Sequence, residues 1–342
     1  FGIALFISIP YFYFLIRGMS LPYYAETVRR IGMIDTHFPS GRKIIMWGVI
    51  MLALLLISYK NKILKIGSRP ILLLSGILAS MISVNQHVIT GKNLQFSSHY
   101  WMLSAFCFIF ALTYLLTLWL PKIKYRYVKI GILILLAVYV FYRPCTYMKM
   151  AIAGELVSYR QTEIDNQRYA TILSWLNKNT SPDEVVFANN KISSLVPSYT
   201  GNNVFYFGMA GLFLMPDLEF QKRFILNHYW NEIDETFAID NKFGIWGAYY
   251  QTKYDHEQTK NRIRKLFFLP NQEYIKIPQE KIDSFLKLSE EVKAKDFEEQ
   301  IKKYRVDYFV WDKENDSNWL VENLEFLEPI YEVNNMAVYK IK

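Results

Sequence analysis

Apolar residues run almost unbroken through five stretches of the first half of the chain, near 1–16, 44–59, 70–84, 101–120 and 130–142, with no polar face recurring at helical spacing. A helix packed on a water-soluble core keeps a polar face, and these stretches lack one and are separated by clusters of cations, so the pattern predicts membrane-spanning helices. Several stretches fall short of the ~17–25 residues that a span needs. Flanking Tyr and Trp side chains, with Lys43, Lys129 and Arg143, are expected to complete them by reaching to the interface. After about residue 150 the pattern changes. Helical periodicity covers 155–179, 217–235, 255–268 and 278–303, and β-rich runs appear at Glu184–Ala188, Val204–Phe207 and Val306–Trp311. Residues 193–203 read as a short helix or loop, and Asn334-Asn335 signals a hairpin. The expected architecture is an α-helical polytopic membrane region of about five transmembrane helices over 1–149, followed by a small soluble α/β domain over 150–342.

Charge sharpens this division. Residues 1–149 carry sixteen Lys and Arg against two acids, Glu26 and Asp35, for a net +14, whereas residues 150–342 carry 23 against 29, for a net −6. The overall basic balance therefore describes no single surface. The cations gather at the ends of apolar runs, where they meet anionic headgroups, and no recognition motif accompanies them, so the expected partner is the lipid bilayer and no nucleic acid. Lys60, Lys62, Lys65 and Arg69 crowd one short loop, and Lys122, Lys124, Arg126 and Lys129 another, while residues 85–100 hold only Lys92. The positive-inside rule puts the two crowded loops in the cytoplasm. Alternation then makes loops 17–43 and 85–100 external and the C-terminal domain extracytoplasmic, in a multi-pass protein of the cell membrane. Phe1 lies inside an apolar run with no basic segment before it, which predicts a longer protein continuing upstream. Cys107 and Cys145 read as packing residues and define no disulfide framework.

Candidate chemistry gathers in the external loops. Residues 85–100 supply Asn85, Gln86, His87, Lys92, Gln95, His99 and Tyr100, side chains suited to holding hydroxyl-rich or phosphorylated groups beside a lipid tail. Thr90-Gly91-Lys92-Asn93 is also a turn signal. In loop 17–43, Ala25, Val28 and Ile31 recur at helical spacing after Pro22, opposite Glu26, Arg29 and Arg30. The plain expectation is an amphipathic helix lying on the membrane surface and ended by Gly32. The sharper one gives Arg29 or Arg30 a bidentate hold on a lipid-linked phosphate. The soluble half shows no glycine-rich phosphate loop, nucleophile elbow or Cys/His cluster. Asp312-Lys313-Glu314-Asn315-Asp316 resembles a calcium loop but lacks its glycine and terminal glutamate, so a solvated turn is expected. His228, Tyr229 and Trp230 are suited to stacking on a sugar ring, although core packing is the simpler use.

The succession of spans, a polar external loop and a terminal domain containing Leu173-Ser174-Trp175-Leu176, Asp183-Glu184-Val185-Val186-Phe187-Ala188, Val196-Pro197-Ser198-Tyr199-Thr200-Gly201 and Val306-Asp307-Tyr308-Phe309-Val310-Trp311 resembles the C-terminal part of GT-C-type integral membrane glycosyltransferase-like proteins. The resemblance covers most of the chain and is architectural. It implies transfer of a sugar from a polyprenyl-phosphate donor on the external membrane face, with an acid of an early external loop as base, sometimes with a divalent metal ion. That loop, and any such metal, would lie upstream of Phe1, so no catalytic residue is assigned within this chain. The alternative is a non-catalytic membrane protein whose external α/β domain binds an envelope glycan or a protein partner.

Overall fold

The computed structural model describes residues 2–34, 37, 39, 41–93, 100–274 and 277–342. The chain is mostly helical with one small mixed sheet, and it divides into two compact units: residues Phe1–Gly32 with Asp165–Lys342, and Met33–Ile164.

The first unit opens with α1 (Gly2–Met19) and α2 (Tyr24–Arg30). The second unit contains α3 (Arg42–Lys60), α4 (Ser68–Asn85), the single turn α5 (His87–Thr90), α6 (Tyr100–Trp119) and α7 (Arg126–Met150). Among the described residues three helical stretches are long and apolar enough to cross a membrane: Arg42–Lys60, Ser68–Thr90 and Tyr100–Lys122. Phe6–Met19 is a shorter apolar helix. Met51, Leu55, Ile77, Ala111 and Leu115 form the core of this helical unit. Small residues let the helices approach closely, as at Gly48, where a Cβ would stand 2.4 Å from the Met81 sulfur. The Ser58 hydroxyl donates to Leu54 O at 2.6 Å and accepts from Trp119 Nε1 at 2.7 Å, so these polar groups are satisfied inside the bundle. Leu72, Ile82, Met102 and Phe110 point outward, as side chains facing lipid do.

After α8 (Leu156–Asn166) the expected single helix over 155–179 breaks at a 3₁₀ turn, Gln167–Tyr169, and resumes as α9 (Ala170–Asn179). There follow β1 (Val185–Ala188), α10 (Asn190–Tyr199), β2 (Asn203–Val204), α11 (Asp217–Asn227), α12 (Glu235–Asp240), α13 (Lys242–Trp246), α14 (Tyr249–Leu266), α15 (Gln279–Lys293), α16 (Phe297–Ile301), β3 (Tyr308–Asp312), β4 (Leu327–Val333) and β5 (Met336–Ile341). The sheet order is β2-β1-β3-β5-β4, with β1 parallel to β2 and β3, and β5 antiparallel to β3 and β4. Alternation along the strands divides the core between the two faces. Val186, Ala188, Tyr308 and Val310 join Ile172, Leu176, Ile192 and Val196 on one face. Phe187 and Phe309, whose rings stack at 4.5 Å, join Phe224, Phe285 and Trp319 on the other. Helices cover both faces, which explains why the central strands read as continuous apolar runs.

Candidate functional site

The short helix α2 binds the α/β fold with its polar face, the reverse of the expected surface helix. Thr27 and Arg30 are its buried residues, whereas Ala25 is exposed. All five guanidinium N–H groups of Arg30 are used. Nε donates to Gly211 O at 3.0 Å, Nη1 to Met215 O at 3.2 Å and Asp217 Oδ1 at 2.9 Å, and Nη2 to Phe213 O at 2.7 Å and Thr27 Oγ1 at 3.2 Å. The group also stacks on the Phe220 ring, 4.7 Å from its centre. Burial lowers the Arg30 pKa against the opposing pull of Asp217, and burial raises that of Asp217 against the pull of Arg30. Glu26 accepts from the Asp217 amide at 2.7 Å, placing a carboxylate at the N-terminus of α11. With every donor committed to protein, Arg30 is a structural anchor and has no N–H left for a lipid-linked phosphate. Arg29 next to it is exposed. No local pattern marks Thr27 and Arg30 as buried, because their acceptors lie more than 180 residues downstream.

The polar loop after α4 folds as a closed turn within the helical unit. Gly91, at φ +67°, donates to His87 O at 2.8 Å; the Gln86 side chain donates to Lys92 O at 2.9 Å, and Thr90 Oγ1 donates to Gln86 Oε1 at 2.9 Å. Asn85 caps its own helix by donating to Met81 O at 3.0 Å. His87 is buried, and Lys92 is exposed where its backbone bridges Ile34. Tyr100 is half-buried at the start of α6. Gln95 and His99 lie outside the described residues. One turn thus gathers Asn85, Gln86, His87 and Lys92, while Arg29 and Arg30 belong to the other unit. A groove of 510 Å³ lined by Leu52, Leu55, Leu56, Leu64 and Leu74 lies toward the 60–69 end of α3 and α4, the end away from this turn.

Two further features belong to the α/β unit, the first at the 312–316 turn. At the carboxyl ends of β1 and β3, Asp312 is fully buried. It accepts from Arg168 Nη2 at 3.0 and 3.1 Å, Tyr169 Oη at 3.1 Å and Asn315 Nδ2 at 2.7 Å, so the expected solvated turn is an internally bonded one. Asp316 accepts from Asn189 Nδ2 at 2.6 Å, and burial is the main cause that pushes its carboxyl up to about 6. The chain leaving β1 runs to β2 on one side and the chain leaving β3 runs to β4 and β5 on the other, so this cluster occupies the switch point between the parallel strands β1 and β3, where open α/β sheets hold ligands. Among the described residues no group of three or more His, Cys, Asp or Glu has metal-holding geometry. His228 and Trp230 pack in the core, the imidazole 4.2 Å from the Phe224 ring, and burial lowers its pKa.

The second feature is a cavity of 470 Å³ beside the edge strand β2, lined by Phe205, Phe207, Phe213, Arg223, Tyr304 and Arg305 among others. Arg223 is held in place by Glu219 Oε1 at 2.7 Å and Phe205 O at 3.1 Å and lies over the rings of Phe205 and Tyr304. Burial, with Glu219 beside it, pushes the Tyr304 hydroxyl up to about 12, so it stays protonated and able to donate. Arg305 is exposed at the rim. Aromatic walls with a few fixed polar groups suit the apolar faces and hydroxyls of a sugar ring. Comparison with protein-family models, with curated proteins and with solved structures finds no match to this chain.

Proposed function

We propose that this chain is the C-terminal portion of a multi-pass membrane glycosyltransferase-like protein of GT-C type, acting on a polyprenyl-phosphate-linked sugar at the external membrane face. The observation that carries the proposal is the contact between α2 and α11. Groups that touch lie on one side of a bilayer, so an even number of crossings must separate residue 30 from residue 217. α3, α4 and α6 supply three. α7, with 25 residues, has the length for a fourth, and α1 makes five in all. On that count the exposed Arg29, the turn bearing Lys92 and the whole α/β unit share one face, and the positive-inside rule makes that face external. Lys92 of the helical unit and Arg29 of the other unit are then each a separate candidate cation for phosphate, with Asn85, Gln86, Gln95, His99 and Tyr100 of the loop beside Lys92 serving sugar or pyrophosphate and the buried His87 supporting that turn.

The test is transfer of radiolabelled sugar from a polyprenyl-phosphate donor by the full-length protein in membranes. Lys92→Ala and Arg29→Ala each lower transfer at least tenfold while insertion is unchanged. Transfer equal to the parent protein in both variants would exclude these groups from the site.

The 470 Å³ cavity favours a second reading, in which the external α/β unit binds an envelope glycan without catalysis. In that case Phe213→Ala and Arg305→Ala abolish retention of the protein on immobilised envelope glycan, and the Lys92 variant binds normally.

A further inference from the structure

α14 ends in a run of four consecutive apolar side chains turned to solvent: Leu266 is 76% exposed, Phe267 70%, Phe268 98% and Leu269 50%. Such a run is anomalous for the rim of a soluble fold, where large apolar residues occur singly. It is also built, not frayed. Arg264 Nε donates to Pro270 O at 2.8 Å, Leu269 N donates to Arg264 O at 3.0 Å, and Asn261 and Gln272 exchange two hydrogen bonds of 2.7 and 2.9 Å. Phe268, at φ +56°, takes the left-handed conformation that reverses the chain and leaves its ring at the apex.

Charge around the tip is one-sided. Residues 260–272 contain Lys260, Arg262, Arg264 and Lys265 and no acid, within a region 150–342 whose net charge is −6. Lys260 pairs with Glu257 and Arg264 holds the turn, whereas Arg262 and Lys265 are exposed and make no ion pair among the described residues. Aromatic and aliphatic side chains ringed by unpaired cations are what an interfacial segment presents to acyl chains and anionic headgroups. The apolar helices of the same chain keep the unit within reach of a bilayer.

We propose that the 266–269 tip of α14 is a membrane-docking element that inserts Leu266, Phe267, Phe268 and Leu269 into the interface of an anionic bilayer, with Arg262 and Lys265 on its phosphates. It touches the membrane independently of the spans and of any activity in the loops. The match of exposed cations and apolar side chains to anionic headgroups and acyl chains favours a bilayer over a protein partner.

The test uses the full chain with Cys107 and Cys145 replaced by Ser and a nitroxide attached at Phe268→Cys, reconstituted in vesicles of phosphatidylcholine with phosphatidylglycerol. A second nitroxide at the exposed Lys303→Cys is the aqueous control. Docking makes the spin at 268 accessible to dissolved oxygen and shields it from a water-soluble nickel chelate, the reverse of the control. Arg262→Gln and Lys265→Gln each lower the docked population about fivefold. A spin at 268 as open to nickel as the control would overturn the proposal. So would a spin shielded from both reagents, which marks a protein cover.

Discussion

The Arg30 guanidinium and the Asp217 carboxylate, 187 residues apart in the chain, meet at 2.9 Å with Arg30 only 2% exposed. Only the Arg30 end of the pair is buried, since the Asp217 side chain is 46% exposed, so removing Arg30 costs chiefly its hydrogen bonds to the carbonyls of 211, 213 and 215. Arg30→Met is expected to lower the unfolding free energy of the α/β unit by about 2 kcal/mol. Arg30→Lys recovers only part of this, because an ammonium cannot match five forked donors. Tryptophan fluorescence during denaturant unfolding in detergent measures both, and a parental midpoint in Arg30→Met would refute the anchoring role.

A second contact guards the same junction from the backbone side. Gly247 sits at φ +67°, ψ −153°, a region essentially confined to glycine, and a Cβ there would stand 2.2 Å from Arg30 O. That carbonyl also accepts from Ala248 N at 2.7 Å. Gly247→Ala therefore combines backbone strain with a clash and should detach α2. Limited proteolysis between α1 and α2 is expected to accelerate in this variant and to stay slow in Gly131→Ala, where a Cβ meets nothing within 4 Å.

Asp316 gives the α/β unit a defined pH response. Its carboxyl is raised from 3.8 to about 6, so the folded state holds the proton more tightly than the unfolded one. Its contribution to stability is thus most favourable below pH 4, falls as pH rises through 4 to 6, and is level above that. Asp316→Asn keeps a neutral partner for Asn189 and should raise Tm at pH 7 while flattening this part of the Tm profile. A variant with the parental slope between pH 4 and 6 would assign the dependence to another group.

The parity of crossings can be read directly. Single cysteines placed at Ser20, in the turn before α2, and at Asn318, after β3, should react with a membrane-impermeant maleimide from the same side of sealed vesicles. One at Asn61, beyond α3, should react only after the vesicles are opened. Labelling of Ser20 and Asn318 from opposite faces is incompatible with the α2–α11 contact.

Local pattern carried the sheet well and the docking poorly. β1, β3 and the Asn334-Asn335 hairpin were legible because alternating apolar and β-branched residues meet turn residues at their ends. Expected strand residues 205–207 fall outside β2, although Phe205 N still donates to Val186 O at 2.9 Å and the Phe205 ring stacks on Phe187 at 5.2 Å. The polar face of α2 was invisible as a buried face, because Arg30 is hydrophilic by any local measure and only carbonyls 211, 213 and 215 make its burial favourable. Asp312 was misjudged for the same reason. Its partners Arg168 and Tyr169 come from the far end of the domain sequence.

The five committed donors of Arg30 also impose an order on assembly. Residue 30 leaves the ribosome before any of its acceptors at 211–217 exist, and at roughly 5–20 residues per second the interval is on the order of ten to forty seconds. During that time the guanidinium stays hydrated while α3 to α7 are made. Closure of the α/β unit around it is therefore a late event, which ties completion of that fold to a segment translated before the apolar helices between them.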